Sequence, residues 1–321
     1  MNPSVNDLLD AYDPDVPLAE ASTSPASWYI DPRILDLEQC TVFARSWQLV
    51  ARLDQLQEPG CYVTTELAGE PILVVRGEDG VIRGFFNVCR HHAAAVMTEP
   101  QGCAKNLRCP YHGWTYTLEG RLKGTPYFND ARDFDLARNS LVPVATAIWE
   151  NWVFVRLDAD GPSLEESFVG IANICMYLAI ENGARHCLQS SPMVSEGAEA
   201  ATGAVRKGDR ALYYWMYPNF MINWYEGVMD TNLVYPRGVD QTEVIFDFWF
   251  ADVSEAARAR NRASIDVGNI IQDEDTDICK SVQRGLRSRA YQTGRLVPRR
   301  EAGEHLFHRL LHADLKDGLP R

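Results

Sequence analysis

Alternating apolar and polar positions predict antiparallel β structure in the first half of the chain. The runs YVTTEL, PILVVRG and VIRGFFNV lie within residues 61–88 and are separated by turn residues such as EDG. WTYTLEGRLKG predicts a hairpin with its turn at Glu119 and Gly120, and IWENWVFVRLD predicts a strand pair at 148–158. Together these runs predict a small β domain.

The second half predicts a larger sheet and long helices. SLEESF, at 163–168, starts as a helix would, and β-rich runs follow at ALYYWMYPNFMINWY, MDTNLVYPRG and TEVIFDFWFA. A helical pattern then covers about 255–290, with Ser254 as the predicted N-cap and Gly268 as the site of a predicted kink. The chain is therefore expected to have an α+β fold with two domains.

Composition and charge restrict the partners of the protein. The chain has 321 residues, 46% of them hydrophobic, which is enough for a substantial core. Lys and Arg number 31 against 44 Asp and Glu, a net charge of −13 that opposes binding to nucleic acid or anionic membranes. Small molecules or proteins are the expected partners.

The N-terminal sequence and the cysteines indicate the cellular compartment of the protein. The first residues are acidic and lack the basic region and apolar run of a secretory signal, and no apolar run is long enough to span a bilayer. A cytoplasmic location is therefore predicted. The eight cysteines are scattered, and most are predicted to be buried thiols rather than disulfides.

Two short Cys/His pairs, Cys89-x-His91 and Cys109-x-x-His112, stand seventeen residues apart. A single such residue would be interpreted as a buried thiol or a satisfied imidazole, but two pairs in hairpin-like loops indicate a metal centre. Structural zinc is an alternative, although zinc loops commonly use two cysteines followed by two histidines. One thiolate and one imidazole per loop favour a Rieske [2Fe-2S] cluster, in which each iron takes one kind of ligand.

The pattern C-R-H followed by C-P-Y-H-G-W resembles the Rieske domain of the Rieske non-haem iron oxygenases, the aromatic-ring-hydroxylating dioxygenase alpha-subunit family. FARSWQLVARLDQL, WENWVFVRLD, YPNFMINWY and MDTNLVYP are similar to its choline monooxygenase-like and carnitine oxygenase-like branch. The resemblance implies an antiparallel β-sandwich Rieske domain at 46–160. It also implies a helix-grip catalytic domain at 161–321, an antiparallel sheet with long C-terminal helices, on which residues 1–45 pack.

The resemblance also implies an activity. The family carries out oxygen-dependent hydroxylation or demethylation at a mononuclear Fe(II), here of a small quaternary ammonium compound or an aromatic one. Electrons come from a separate NAD(P)H-dependent reductase or a ferredoxin and pass through the Rieske cluster. A homotrimer is expected, because in the family the cluster of one chain feeds the iron of its neighbour.

Asp275 is the candidate carboxylate ligand of that iron, which normally takes two histidines and one carboxylate. Its position matches the family's carboxylate, and the alternative is a buried structural Asp. The helical spacing places it on one stripe with apolar residues, so burial is expected. These residues are Ile271, Ile278, Val282 and Leu286.

The family's histidine pair is missing from this sequence. The pair has four residues between its histidines and follows an N-W-K segment, and no two remaining histidines are spaced in this way; they are His92, His186, His305, His308 and His312. An internal deletion near 168–181 is therefore predicted. The alternative function is a truncated or splice-type variant that keeps a redox-active cluster without the mononuclear iron, acting as an electron carrier or non-catalytic subunit.

Two other groups of residues have competing interpretations. The histidines of EHLFHRLLH, at 304–312, share a helix face that suits metal binding, but an amphipathic C-terminal helix accounts for them better. No metal role is predicted for His92 or His186. An aromatic run provides either core residues or a cation-binding cage: Tyr213, Tyr214, Trp215, Tyr217, Phe220, Trp224 and Tyr225.

Overall fold

The computed structural model describes residues 3–126, 132–168, 180–192 and 207–319. The chain forms two compact units, one of residues 39–167 and the other of residues 1–38 together with 168–321. Most of the predicted deletion region near 168–181 lies outside the described residues. Among the helices that are described, none combines the length and apolar character needed to cross a bilayer.

The unit of residues 39–167 is built from two antiparallel sheets. The larger has seven strands in the order β1-β10-β9-β4-β3-β2-β5 and the smaller the order β6-β7-β8. The strands are β1 Gln48–Arg52, β2 Cys61–Leu67, β3 Glu70–Arg76, β4 Ile82–Phe86, β5 Gln101–Cys103, β6 Leu107–Arg108, β7 Thr115–Tyr116, β8 Leu122–Gly124, β9 Pro143–Trp149 and β10 Trp152–Arg156. The predicted strands and hairpins of this half are confirmed.

The turn at Gly120 shows why the β7–β8 hairpin forms where the sequence predicts it. The Thr117 N–H donates to the Arg121 carbonyl at 2.8 Å, and Gly120 has φ +81°. A Cβ at this position would lie 2.4 Å from Cε1 of Phe85 in the core. Only glycine satisfies both the left-handed backbone and the close approach.

Two cysteines of this unit contradict the expectation that most are buried thiols. Cys61 and Cys103 are directly opposed on β2 and β5 and form a disulfide. Cys40 and Cys279 are exposed, whereas three other thiols are buried as predicted, at Cys89, Cys109 and Cys187. The disulfide depends on the register between two strands 42 residues apart, which local sequence does not reveal.

The second unit contains a six-stranded antiparallel sheet in which neighbouring strands follow chain order. Its strands are β11 Ile180–Asn182, β12 His186–Pro192, β13 Lys207–Met216, β14 Phe220–Glu226, β15 Val228–Gly238 and β16 Gln241–Phe250. The α-helices within the described residues are α1 Val5–Asp10, α2 Pro32–Glu38, α3 Leu164–Ser167, α4 Arg258–Leu286 and α5 Ala302–Asp317. The α+β class and the three predicted β-rich runs are confirmed.

The N-terminal residues belong to this second unit and pack on α5. The Trp28 indole stacks on His312, with ring centroids 5.9 Å apart and planes 5° from parallel, and its Nε1 donates to the Leu8 carbonyl at 2.9 Å. The Thr23 N–H donates to the Gly294 carbonyl. The units divide after residues 38 and 167.

The start of α4 differs from the prediction. Residues 255–257 form a 3-10 turn, the α-helix begins at Arg258, and the Ser254 side chain makes no capping hydrogen bond. The Ser254 N–H instead donates to the Asp252 carboxylate at 3.0 Å. The helix continues through Gly268, where a Cβ would lie 3.2 Å from Cζ of Phe248. Gly268 therefore gives the sheet room to approach the helix.

The predicted burial of the Asp275 stripe is wrong. Asp275 is exposed, and Ile278 and Val282 are 65% and 54% exposed. The pattern is amphipathic as predicted, but a stripe is buried only where another element covers it. No described part of the chain covers this end of α4 closely enough to bury these side chains.

We predict that buried His308 makes stability fall in acid. The side chain is 1% exposed, and burial, with a smaller effect of His305, lowers its pKa from 6.5 to about 4. The unfolded chain therefore takes up the proton first as the pH falls. The stability contribution is complete above about pH 6.5 and is lost progressively down to about pH 4, and the loss reaches about 2 kcal/mol at pH 5.

Urea unfolding of wild type and His308→Gln at pH 7.5 and pH 5 measures the contribution of His308 to the free energy of unfolding. The comparison with the variant is needed because burial raises the pKa of Glu38 to about 7, which favours the folded state as the pH falls. Wild type should lose more stability than the variant on acidification. Equal pH dependence in the two proteins would contradict the assignment to His308.

Candidate metal centre and ligand cavity

The two loops that carry the Cys/His pairs share one backbone design. In the first loop the Cys89 N–H donates to the Ala94 carbonyl at 2.8 Å, and in the second the Cys109 N–H donates to the Trp114 carbonyl at 2.9 Å. Each cysteine is thus bonded to the residue five positions later. The chain turns back within each loop and presents the intervening side chains at its tip.

A second hydrogen bond closes each loop at the residue four positions after the cysteine. The Ala93 N–H donates to the Cys89 carbonyl at 3.0 Å, and the Gly113 N–H donates to the Cys109 carbonyl at 3.1 Å. Both residues are in the left-handed region, with φ of 60° and 71°. Glycine adopts this conformation without penalty, whereas Ala93 has a Cβ and adopts it against its preference.

The loops separate the two kinds of donor. The thiols of Cys89 and Cys109 are buried, each 2% exposed, whereas His91 is half-buried and His112 exposed. The two imidazole rings are adjacent, with centroids 4.7 Å apart. The site therefore has a sulfur side within the core and a nitrogen side at the surface.

Local electrostatics favour neutral donors before a metal binds. Burial raises the pKa of the Cys109 thiol. Burial and the neighbouring imidazoles of His92 and His112 lower the pKa of His91, which keeps it in the neutral form that a metal requires. Binding metal at this site therefore requires loss of the Cys109 thiol proton but not of an imidazolium proton from His91.

Tyr116 connects the sulfur side to the backbone of the first loop. Its buried hydroxyl lies 3.4 Å from Cys89 Sγ and accepts the Arg90 N–H at 3.0 Å. Because the oxygen accepts from Arg90, the hydroxyl proton can be directed to the sulfur. A donor in this position stabilises negative charge on a coordinated thiolate.

His92 lies closer to the centre than the sequence predicts. Its ring is 4.0 Å from that of His91 and 5.3 Å from that of His112, and ligand nitrogens of the three histidines lie within 4.8 Å of one another. The adjacent HH pair was the only signal of this placement. The structure gives the exposed face of the centre three imidazoles, beside the 65% exposed Tyr111.

The donor set fits a two-iron cluster better than one zinc ion. Among the described residues the group of donors within 4.8 Å contains imidazoles only, and the two cysteines are not part of it. Four ligands of one zinc ion would lie around a single point. A buried thiol pair and a more accessible imidazole pair suit a [2Fe-2S] cluster with one pair on each iron.

A cavity of about 300 Å³ lies in the second unit between the sheet and α4. Residues 268–275 of α4 contribute one wall, which includes Asp275. The sheet wall is aromatic and polar, and is formed by Tyr213, Asn223, Tyr225, Asp230, Phe246 and Phe248. Of the aromatic run singled out in the sequence, only Tyr213 and Tyr225 line this cavity. Phe246 and Phe248 were missed, although they alternate along β16.

Asp275 has no histidine partner in the cavity. All seven histidines lie in described residues, and none of them is among the residues that line it. His186 is buried on β12, and the three histidines of the C-terminal segment lie on α5. The residues described around Asp275 therefore do not fit an iron held by two histidines and one carboxylate.

Comparison with known proteins identifies the class. The Rieske [2Fe-2S] domain profile matches residues 46–146, and the ring-hydroxylating alpha subunit catalytic domain profile matches residues 187–316. The chain belongs to the Rieske non-haem iron oxygenase family. The family's cofactors are a Rieske cluster and a mononuclear iron, and its electrons come from a reductase or ferredoxin.

Several of the similar proteins are oxygenases of choline or carnitine. Choline monooxygenase of Arabidopsis thaliana is 32% identical over 375 residues, covering 97% of this chain and 87% of its own. The carnitine monooxygenase oxygenase subunit of Escherichia coli is 28% identical, covering 93% and 95%. A quaternary ammonium Rieske monooxygenase structure has the same fold, with TM-score 0.80 at 22% identity and 99% coverage of each chain.

We predict that Tyr116→Phe lowers the reduction potential of the cluster without removing it. Loss of one hydrogen bond of about 1 kcal/mol to a thiolate corresponds to a change on the order of 50 mV for one electron. A redox titration followed by electron paramagnetic resonance measures the change. Tyr111→Phe is the control, because that tyrosine is exposed and contacts the imidazole side. Equal potentials for Tyr116→Phe and wild type would contradict the prediction.

Proposed function

We propose that the protein is the oxygenase component of a Rieske system that hydroxylates or demethylates a small quaternary ammonium compound. Cys89, His91, Cys109 and His112 hold the [2Fe-2S] cluster, which when bound supplies one-electron transfer. The observation that carries the proposal is the separation of a buried thiol pair from a more accessible imidazole pair, half-buried His91 and exposed His112. An aromatic substrate is the alternative within the same reaction class.

The exposed side of the centre supports electron entry from a separate protein. His112 and Tyr111 are exposed, and both line an open depression that also includes His91. A reductase or ferredoxin can approach the nitrogen side without crossing the core. The thiols remain shielded from water, which protects the ligands and favours cluster retention.

The substrate class rests on the cavity and on the names of the relatives. The relatives are monooxygenases of choline and of carnitine, both small quaternary ammonium compounds. The cavity beside α4 has the volume of a small-ligand site and combines four aromatic rings with two carboxylates. A cation that has no N–H donors is recognised by the faces of aromatic rings and by negatively charged groups.

A homotrimer is the proposed assembly. A related quaternary ammonium Rieske monooxygenase is described as transferring electrons between subunits. A closed ring of three subunits lets each cluster face the neighbouring chain through one repeated head-to-tail contact, which would otherwise extend into a filament.

The second candidate function is a subunit that carries electrons without its own mononuclear iron. It is favoured by the absence of histidine from the described wall around Asp275. The alignment with the Arabidopsis enzyme spans 375 positions, more than the 321 residues of this chain, so the relative has residues with no counterpart here. A deletion near 168–181 would lie between the two matched domain ranges.

We predict that His112→Ala loses the cluster and that His92→Ala retains it. Both side chains are exposed imidazoles at the same tip, so the pair controls for charge and solubility. Iron, acid-labile sulfide and the visible spectrum of each protein, purified anaerobically, provide the measurement. Loss of the cluster in both variants would overturn the ligand assignment, as would zinc without sulfide in wild type.

The iron count separates the two candidates: the second predicts two tightly bound irons and two sulfides per chain, whereas the oxygenase needs a third iron. Asp275 without imidazole partners should hold Fe(II) weakly, because imidazole supplies much of the affinity. Metal analysis is combined with oxygen uptake in the presence of reductase and choline. A third iron, with choline-dependent oxygen uptake that Asp275→Ala abolishes, would contradict the count and exclude the second candidate.

A further inference from the structure

One row of side chains crosses the sheet that forms the cavity wall. Tyr213 on β13 is paired with Asn223 on β14, Asn223 with Asp230 on β15, and Asp230 with Phe248 on β16. All four line the cavity, so they point to the same face of the sheet. Two aromatic rings therefore flank an amide and a carboxylate at the centre of the row.

Asp230 is the buried carboxylate of this wall. It is 6% exposed, whereas Asp275, on the opposite wall, is exposed. Burying a carboxylate among aromatic rings is unfavourable unless its charge interacts with a bound cation or is balanced by another group. The described lining residues include two carboxylates and neither lysine nor arginine, so this described part of the wall is acidic.

Asn223 fixes the orientation of this carboxylate. Its Nδ2, on β14, donates to Asp230 Oδ2 on the adjacent strand β15 at 2.7 Å. The amide is neutral, so it holds one oxygen in place without cancelling the charge of the group. Two strands of a paired sheet therefore position the negative charge before any ligand binds.

The surrounding rings complete a site for an organic cation. Tyr213 and Tyr225 meet edge to face, with ring centroids 6.0 Å apart and hydroxyls 3.4 Å apart. Phe246 and Phe248 complete the aromatic part of the wall. A quaternary ammonium group is attracted by ring faces and by a carboxylate, and it needs no hydrogen-bond acceptor.

We propose that Asp230, positioned by Asn223, makes this cavity select cationic over neutral ligands of the same shape. The inference rests on the proposed function for its substrate class and adds the residue that discriminates charge. Asp230 acts on binding through its charge. Selection of the cation therefore does not depend on an iron at Asp275.

The test measures the affinities of two matched ligands by calorimetry on the purified, cluster-containing protein. Choline is the cation, and 3,3-dimethylbutan-1-ol is its neutral isostere, in which carbon replaces nitrogen. Wild type should bind choline at least tenfold more tightly. Asp230→Asn keeps the shape of the side chain and should remove most of that preference, with affinity for the neutral alcohol within about twofold of wild type.

A second variant covers the case in which Asp230→Asn does not fold. Asn223→Ala keeps the charge but releases its position, and should reduce the preference for choline by a smaller factor. Two outcomes would overturn the role of Asp230 without contradicting the proposed substrate class. One is an unchanged preference for choline in both variants, and the other is an equal loss of affinity for choline and for the neutral alcohol in a folded variant. Failure of wild type to bind choline and carnitine would overturn both proposals.

Discussion

The metal centre depends on the closure of two loops by matching backbone hydrogen bonds. The bonds from Cys89 to Ala94 and from Cys109 to Trp114 turn each loop back on itself and leave both thiols in the core. The same closure places the following histidines at the tip. The backbone hydrogen bonds restrict the positions of the donors, which lowers the conformational entropy that ordering the two loops would cost.

Local chemistry explains what the sequence predicts correctly. Strands β2 to β4 and the Gly120 hairpin follow from alternation and turn residues, which act within a few positions. The Cys/His pairs are also local, since each loop supplies its donors within four residues. The α+β class, the strand runs and the members of the candidate metal centre could therefore be predicted from the sequence.

Long-range contacts explain what the sequence does not predict. The Cys61–Cys103 disulfide joins residues 42 positions apart, and His92 approaches His112 of the other loop. The pairing of Asn223 with Asp230 is closer in sequence but depends on the register of the β14–β15 pair. The stripe through Asp275 has the periodicity of a buried helix face. Periodicity shows that a helix has an apolar face. Burial of that face requires another element packed against it, and no described element covers this end of α4.

Binding and oxidation of a substrate are separable in this architecture. The cavity wall comes from strands β13 to β16, whose register aligns Tyr213, Asn223, Asp230 and Phe248. The family's iron needs a histidine pair from another part of the chain, which this sequence lacks. Loss of that pair removes no residue from the paired strands and no hydrogen bond from the Asn223–Asp230 contact. A chain of this kind can retain recognition of a cation and electron acceptance at its Rieske domain independently of the chemistry that normally joins them.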